Sequence, residues 1–387
     1  MNKTGVLQGV VQPYAWGSQE ALPRIMGEEP TGRAQAELWL GAHPRAPSVL
    51  QRGGVSRPLN QVIADDPEGE LGADTARSFG GELPFLLKIL AVDQPLSLQT
   101  HPSRQQAQAG FDGEEERGVA VDADHRSYRD RNHKPELVCA LEPFTAFCGF
   151  RQLNTAASLL ESLGVSDLGP AIGFLRLGEA DRALRWLLER PRESGAAIAH
   201  QVVAACTESG PFPDERQWAV RIGDQHPGDI GVAIALMLNL VHLQPGQGLF
   251  LGAGNLHVYL HGVAVEIMAN SDNVLRGGLT VKHVDVPAVL DVAHCRPLEV
   301  PVQSPDAPCY AFQTPVPDFG LSRVEVAGVR RFLPSGPEIV LCASGSVSVA
   351  GHAITGGGAV WVPAATGEYE VAGEGLVFRA ETGASGQ

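Results

Sequence analysis

No stretch of this sequence is apolar for long enough to cross a membrane as a helix. The longest apolar segments, such as residues 231–243, fall well short of the roughly 20 residues that a spanning helix needs. The first seventeen residues, MNKTGVLQGVVQPYAWG, also lack the charged-then-apolar layout of a secretory signal. The sequence therefore predicts a cytoplasmic protein with no membrane partner.

Cysteine is scarce, and its six positions form no CxxC pair and no zinc-finger spacing with histidine. In a reducing cytoplasm free cysteines are expected rather than disulfides. The pattern therefore excludes both a disulfide scaffold and a cysteine-rich zinc fold.

Positive charge is also in short supply. The chain has 29 Lys and Arg against 44 Asp and Glu, a formal net charge of −15. Non-specific nucleic-acid binding requires a positive surface, so this charge argues against a nucleic-acid partner. An anionic ligand would have to be held by a local group of cations.

The 387 residues are enough for two or three domains. Short β-prone runs broken by Gly and Pro fill residues 1–152 and 220–292, whereas helical periodicity dominates residues 153–219. It predicts three helices, in LNTAASLLESLG with Asn154 as N-cap, in LGEADRALRWLLERP and in GAAIAHQVVAACTESG, and DIGVAIALMLNLVHL predicts a buried helix that leads into a strand. The polar segment after LNQVIADDP predicts a loop, and residues 103–133 predict one helical turn followed by a long loop. Alternating strands return from residue 293 to 387. We expect a mainly β fold of cupin-type jelly-roll barrels, bicupin-like, with an α-helical insertion between the first two β-rich segments.

A candidate metal site follows from three strand segments. Gln99 and His101, in LSLQTHPS, point to the same face of an extended strand because they are two residues apart. Glu136 in RNHKPELV and His257 in GAGNLHVYL would add a carboxylate and a second imidazole. Such a mixed nitrogen and oxygen set suits zinc, and catalysis would need a further open position on the ion.

Two charged residues stand in otherwise apolar runs. Lys88 interrupts FLLKIL, where it could lie at a strand edge with its head in water or point into a pocket. Glu37 begins ELWLGAHP, where it could form an ordinary salt bridge, lie on a solvated face or line a site.

The ordered motifs YAWGS, AELWLGAHP, PFLLKIL, LSLQTHP, NHKPE, AFCGFR, LQPGQGLFLGAGNLHVY and EIMANSDNVLRGGLTVKHVDV closely resemble type I phosphomannose isomerases. The resemblance runs from about residue 9 to 290. It implies one zinc ion per chain, held by Gln99, His101, Glu136 and His257. LGAG and HPSR depart from the family's usual LPAG and HPDK, and neither change touches an implied ligand.

The resemblance also implies a reaction: the interconversion of mannose 6-phosphate and fructose 6-phosphate through a cis-enediol. The substrate would be a small sugar phosphate, and we expect a monomer. The resemblance also implies a catalytic set of residues and a set that binds the substrate. The catalytic set is Arg276, Lys134, His133, Asp272 and Glu266; the substrate-binding set is Ser97, Lys88, Glu37 and Tyr259.

These assignments leave some choices open. Any of His133, Lys134, Glu266 and Asp272 could move the proton, and Arg276 could hold either the developing oxyanion or the phosphate, because a guanidinium binds both in a bidentate manner. Asp272 could orient Arg276 or assist ring opening. Ser97, Lys88 and the RGGLTVKH loop are the candidate phosphate ligands.

Three other functions are compatible with parts of the pattern. A non-catalytic sugar-phosphate-binding bicupin would use the metal structurally, and a related isomerase would act on another or an unphosphorylated aldose. An iron dioxygenase is disfavoured, because Gln and Glu beside two His depart from its two-His, one-carboxylate triad.

Overall fold

The computed structural model describes residues 4–383, and across them the chain is mainly β, as predicted. The strands in chain order are β1 (Gly5–Gln8), β2 (Val10–Gln12), β3 (Glu37–Gly41), β4 (Val49–Arg52), β5 (Val55–Pro58), β6 (Phe85–Val92), β7 (Leu98–Thr100), β8 (Glu136–Ala140), β9 (Phe144–Phe150), β10 (Leu238–Leu243), β11 (Gly248–Leu251), β12 (His257–Ala269), β13 (Leu275–Gly278), β14 (Val302–Gln303), β15 (Cys309–Ala311), β16 (Gly320–Phe332), β17 (Glu338–Val349), β18 (His352–Thr355), β19 (Ala359–Val362) and β20 (Tyr369–Glu381).

Helices lie mostly in the middle of the chain. They are α1 (Ala21–Met26), α2 (Leu59–Asp65), α3 (Pro67–Leu71), α4 (Ala73–Ser78), α5 (Arg104–Glu116), α6 (Leu153–Ser162), α7 (Gly169–Arg176), α8 (Ala180–Leu188), α9 (Arg192–Cys206), α10 (Pro213–Gln225), α11 (Gly231–Ala235) and α12 (Val286–Val292). None of the helices in the described part of the chain is long and apolar enough to span a membrane.

The strands form two antiparallel sheets. The first sheet has the order β15-β16-β20-β17-β19-β1-β4-β5, with β18 added on β17. It therefore joins the C-terminal strands to strands from the first 58 residues, with Val6 of β1 opposite Val360 of β19. The predicted division into residues 1–152 plus 220–292, 153–219 and 293–387 stays a prediction, and the strand pairing crosses its last boundary.

The second sheet is built around β12. The N-terminal part of this strand pairs with β7 and β9, and its C-terminal part pairs with β6 and β8. The change of partners falls near Gly262, whose φ is +125°. A Cβ atom there would lie 2.4 Å from the carbonyl oxygen of Pro143, so only glycine fits without strain. One strand thus carries His257 into one set of neighbours and Glu266 into another.

The two sheets share one apolar core. Leu7 and Trp361 of the first sheet belong to the same buried cluster as Leu87 and Ile267 of the second. Because side chains alternate along a strand, Lys88 and Glu266, the next residues along β6 and β12, point away from this core. The face that carries the charged residues is therefore set by the apolar residues beside them.

The helical region confirms part of the predicted pattern. The three helices expected from periodicity are α6, α8 and α9, and the apolar segment after residue 229 is a short buried helix followed by β10, as predicted. Helices α7 and α10 were not predicted. The expected N-cap Asn154 lies inside α6, where Gln152 precedes the first helical residue.

Two segments that the sequence predicts as loops are helical. Residues 67–78, expected to form a polar loop, contain α3 and α4. Residues 104–116 form the full helix α5 instead of one turn. A capping box explains its stability, since the Ser103 side chain accepts from the backbone of Gln106 while the Gln106 side chain reaches back to Ser103.

Glu70 ties α3 to the first sheet. Its carboxylate accepts hydrogen bonds from both terminal nitrogens of Arg52, at 3.3 and 2.7 Å, and from the indole nitrogen of Trp361 at 2.7 Å. Trp361 has no exposed surface. Its N–H therefore depends on this carboxylate for a partner.

We expect Glu70→Ala to lower the free energy of unfolding by about 2–4 kcal/mol, because it leaves a buried donor unsatisfied and removes a buried ion pair. Urea unfolding followed by tryptophan fluorescence measures this change. Glu68→Gln, an exposed position on the same helix, is the control. Equal stability of the two variants would contradict the role of Glu70.

Candidate metal centre

Three predicted ligands meet in the second sheet. Nε2 of His101 lies 3.4 Å from Oε1 of Glu136, and Nε2 of His257 lies 3.5 Å from Oε2 of the same carboxylate. One ligand atom from each residue lies within 4.8 Å of the other two. All three side chains are at most 2% exposed. The group has the size and burial of a site for one metal ion.

Strand register brings these residues together. Gln99 of β7 lies directly opposite His257 of β12, and His101 follows β7 by one residue. Glu136 begins β8, where it lies opposite Met268 near the other end of β12. The long strand β12 is therefore the common neighbour of every segment that supplies a ligand.

Backbone carbonyl groups orient both imidazoles. Nδ1 of His101 donates to the carbonyl oxygen of Asn273 at 2.7 Å, and Nδ1 of His257 donates to that of Asn255 at 3.1 Å. A carbonyl oxygen can only accept, so the hydrogen of each neutral ring lies on Nδ1. Each Nε2 then presents a lone pair towards Glu136, as metal-binding histidines do.

The nitrogen and oxygen atoms that face one another here would all bind a cation, but they repel one another. Two imidazole lone pairs opposite a carboxylate repel, and Nε2 of His101 and Oε2 of Glu136 are buried with no hydrogen-bond partner in the described structure. Burial lowers the pKa of His101 to about 4, although Glu136 opposes this shift. Burial would raise the pKa of Glu136, but Lys134, His101 and His257 together outweigh it and hold that pKa well below its usual range. A neutral imidazole and a carboxylate are the forms that bind zinc.

Gln99 reaches the same point. Its amide nitrogen lies 3.2 Å from Nε2 of His257. Asparagine and glutamine amides present an oxygen or a nitrogen to a given point after a simple flip. The side chain is therefore placed to offer its oxygen as a fourth ligand, in line with the sequence prediction.

Lys88 lies beside this group and is fully enclosed. Its Nζ lies 3.1 Å from Oε2 of Glu266 and 3.6 Å from Oε2 of Glu37, and it stacks over the ring of Trp39. Trp39 in turn donates its indole hydrogen to Glu37. Of the alternatives for Lys88, the strand-edge and snorkelling positions are wrong, because β6 lies between β3 and β12.

Burial and the neighbouring charges of this cluster shift the pKa values of Lys88 and Glu266. Burial lowers the pKa of Lys88, but Glu37 and Glu266 outweigh it and raise that pKa overall. Burial raises the pKa of Glu266 despite the lysine beside it. Lys88 is therefore a fixed positive charge, while Glu266 is the carboxylate there that protonates more readily than usual.

Lys134 and Tyr259 complete the wall of the site. Nζ of Lys134 lies 3.2 Å from Oε1 of Glu136, although this lysine precedes β8 instead of lying in it. The ring of Tyr259 lies 5.6 Å from that of His257, and its buried hydroxyl has no hydrogen-bond partner among the described residues. Burial, followed by the charges of Glu266 and Glu136, raises the pKa of Tyr259.

Two predicted catalytic residues have other partners. His133 donates from Nε2 to Asp318 at 2.8 Å. Asp272 accepts from Arg45 at 2.7 Å and lies 3.4 Å from His43, and no Asp272–Arg276 ion pair occurs in the described structure. Asp272 therefore does not orient Arg276 by direct contact.

Arg276 is a cation without a bound carboxylate. It lies on β13 opposite Gln99, and its side chain makes no hydrogen bond or ion pair within residues 4–383. Burial and then the charge of Arg129 lower its pKa. Burial, Arg276 and Arg129 likewise lower the pKa of Lys282. Arg276, Arg129 and Lys282, which we call the cationic group, form a local positive patch.

Ser97, a predicted substrate-binding residue, is half-buried just before β7 and makes no hydrogen bond in the described structure.

Sequence reasoning missed several of these residues. Arg129 and Lys282 were not singled out individually, although a local group of cations was expected. Asn273 was also missed: its side chain has no exposed surface, accepts from the backbone N–H of Arg129 at 2.7 Å and donates to the backbone carbonyl oxygen of Asn132 at 2.9 Å. Its neighbours in NSDNVLRGG gave the only signal, since a fully buried amide between two loops has no periodic pattern.

The comparisons with known proteins agree with the geometry. Residues 6–153 match the model of the phosphomannose isomerase type I catalytic domain. The mannose-6-phosphate isomerase of Escherichia coli K12 is 42% identical over 287 residues, 72% of each chain. That of Salmonella typhimurium LT2 is 39% identical over 331 residues, 82% of each chain.

A solved structure extends the likeness to the whole fold. Mannose 6-phosphate isomerase from Salmonella typhimurium, bound to fructose 6-phosphate and zinc, superposes with a TM-score of 0.89 at 34% identity. The match covers 98% of this chain and 100% of that one. The resemblance seen in the motifs is confirmed, and this chain belongs to the type I phosphomannose isomerase family.

Proposed function

We propose that the chain is a zinc-dependent aldose–ketose isomerase that interconverts mannose 6-phosphate and fructose 6-phosphate through a cis-enediol. The observation that carries this proposal is the buried convergence of His101, Glu136 and His257 beside Lys88 and Lys134. A purely structural metal site has no need of two buried lysines at its wall. The choice of mannose 6-phosphate and fructose 6-phosphate as substrates follows from the mannose-6-phosphate isomerases named above.

Gln99, His101, Glu136 and His257 would hold the zinc. When bound, zinc supplies a Lewis acid that polarises the oxygens of the opened sugar and stabilises the charge of the enediolate. Lys88 adds a permanent positive charge in a pocket with little water, where electrostatic stabilisation is strongest.

The proton moves between C1 and C2 of the sugar and needs a group within hydrogen-bond reach. Of the four candidates, His133 and Asp272 are held by Asp318, Arg45 and His43. Lys134 and Glu266 remain at the cluster. We therefore assign the transfer to one of these two, with Tyr259 and Glu37 lining the pocket around them.

The phosphate needs cations that are not already neutralised. Lys88 lies between two carboxylates, so it is poorly suited to a dianion. The cationic group of Arg276, Arg129 and Lys282 has no such partners, and we assign the phosphate to it, with Ser97 beside it. Arg276, adjacent to Gln99 across the strands, also lies close enough to the ligands to act on the developing oxyanion.

The finer architecture is part of the same proposal. We infer that each sheet closes into a cupin-type jelly-roll barrel, with the helical segment inserted into the second sheet between β9 and β10. The free thiols of all six cysteines, which fall inside the described range, suit a cytoplasmic location. A monomer is the expected state.

A coupled assay tests the proposed function directly. Purified protein should convert mannose 6-phosphate to fructose 6-phosphate, lose that activity when chelator removes the metal, and recover it when zinc is restored. Mannose without phosphate is the control substrate and should react far more slowly. A protein that binds zinc and sugar phosphate without turnover would instead be the non-catalytic bicupin.

His257→Ala should lose both zinc and activity, because it removes an imidazole from the only group of this kind in the described residues. Metal content and isomerase rate are measured on the same sample. His242→Ala, an exposed histidine on β10, is the matched control. Full zinc content with near-normal turnover in His257→Ala would exclude this residue as a ligand.

Arg276→Ala should keep the zinc but lower kcat by about 100-fold or more, as expected when one donor to a developing charge is removed. Steady-state kinetics and metal analysis measure the two effects. Arg185→Ala removes an exposed arginine of α8 and should change neither quantity. Unchanged kcat in Arg276→Ala would overturn its catalytic assignment.

A further inference from the structure

A carboxylate from the C-terminal part of the chain contacts two residues that lie three positions from metal ligands in the sequence. Asp318 lies just before β16, and its side chain has no exposed surface. One of its oxygens accepts from Arg104 Nη2 at 2.9 Å, and the other accepts from His133 Nε2 at 2.8 Å. Nη2 of Arg104 also lies 2.9 Å from Nε2 of His133, a contact in which the guanidinium can only donate.

These partners belong to two of the three segments that supply metal ligands. Arg104 is the first residue of α5 and follows His101 by three positions. His133 precedes Lys134 directly and Glu136 by three positions. One carboxylate therefore bridges the segment QTHPSR and the segment NHKPE, beside the direct contacts of Arg104 with His133 and of His101 with Glu136.

The bridge is built to be rigid. The contact with Asp318 requires a hydrogen on Nε2 of His133, whereas the contact with Arg104 requires a lone pair on the same nitrogen, so only one of the two can be a hydrogen bond. Asp318 has no exposed surface and needs this donor, while the Arg104 side chain is 45% exposed, so the carboxylate favours the tautomer with the hydrogen on Nε2. The backbone N–H of His133 is held as well, by Oδ1 of Asn132 at 3.1 Å. A carboxylate with no exposed surface requires such partners, since its burial is otherwise very costly.

We propose that Asp318 is a positioning residue for the isomerase reaction, acting through His133 and Arg104 to fix Lys134 relative to the ligands His101 and Glu136. This inference rests on the proposed function. It makes the C-terminal sheet part of the catalytic unit, because a side chain placed by β16 sets the geometry of groups on β7 and β8.

The effect should fall on turnover more than on substrate binding. Misplacing a reacting group by 1 Å costs on the order of 100-fold in rate. None of the three side chains of the cationic group assigned to the phosphate forms a hydrogen bond or ion pair with Asp318, Arg104 or His133 in the described structure. Asp318→Asn should therefore lower kcat by about 10–100-fold and leave KM within about threefold.

Asp318→Asn suits the test because it keeps the shape of the side chain. The amide can accept one hydrogen bond, but its NH₂ group faces the second donor. Removing the buried charge leaves its former partners access to water, since the Arg104 side chain is 45% exposed and that of His133 is 16% exposed. Glu70→Gln is the matched control, a buried carboxylate between a helix and the first sheet that contacts none of the site residues.

Four measurements are made on wild type and variants: kcat, KM, zinc content and the tautomer of His133 by ¹⁵N NMR of the ring. Support requires a lower kcat with nearly unchanged KM, retained zinc and loss of the Nε2–H tautomer in Asp318→Asn, with normal kcat in Glu70→Gln. A kcat within twofold of wild type, or an equal fall in Glu70→Gln, would overturn the inference.

Two outcomes would prevent the main comparison, an inactive wild type and an Asp318→Asn variant that does not fold, and each has its own test. If wild type does not isomerise the substrate, the proposed function fails, and the His133 tautomer alone then decides whether Asp318 orients this ring. If Asp318→Asn does not fold, Arg104→Gln removes one contact from its exposed side and should lower kcat by about 3–10-fold, a smaller misplacement. An unchanged kcat in that variant counts against the bridge.

Discussion

Two imidazole lone pairs and a carboxylate face one another in a pocket that water scarcely reaches, and this arrangement is unfavourable without a cation. His101 and His257 cannot turn away, because carbonyl oxygens hold the hydrogen on the opposite side of each ring. Glu136 stays ionised beside Lys134. The metal centre is therefore not an addition to a finished fold. Its repulsive donor set is a free-energy cost that burial of the shared apolar core must offset.

Strand register is the constraint that places these donors. Because side chains alternate along a strand, a slip of one residue in β12 would turn its site face towards the core shared by the sheets. Leu87, Ile267 and their neighbours prevent this slip by filling that core. Gly262 lets the same strand change partners halfway, so His257 meets Gln99 while Glu266 meets Lys88. Packing of the apolar face and chemistry on the polar face are thus two results of one register.

The sequence predicts the parts of this design that are local or carried by motifs. The spacing of Gln99 and His101 gave a shared face, and the resemblance gave Glu136 and His257. The mainly β character and three of the helices followed from periodicity. Long-range contacts had no such signal: Asp318 and His133 are separated by 185 positions, and the pairing of β1 with β19 joins the two ends of the chain. The charged segment after Ser103 was predicted to form one helical turn followed by a loop, because its polar residues show no apolar periodicity. The capping box that starts α5 was not recognised. For Asp272, only the folded chain revealed that Arg45 and His43 are its partners.

The most direct measurement of the central claim is X-ray absorption at the zinc K-edge on protein purified without added metal and then titrated with zinc. The expected spectrum belongs to one zinc ion per chain with only nitrogen and oxygen neighbours, including the outer-ring scattering that marks two imidazoles. A spectrum with sulfur ligands, or protein that does not bind one zinc ion per chain, would contradict the convergence of His101, Glu136 and His257 on a single ion.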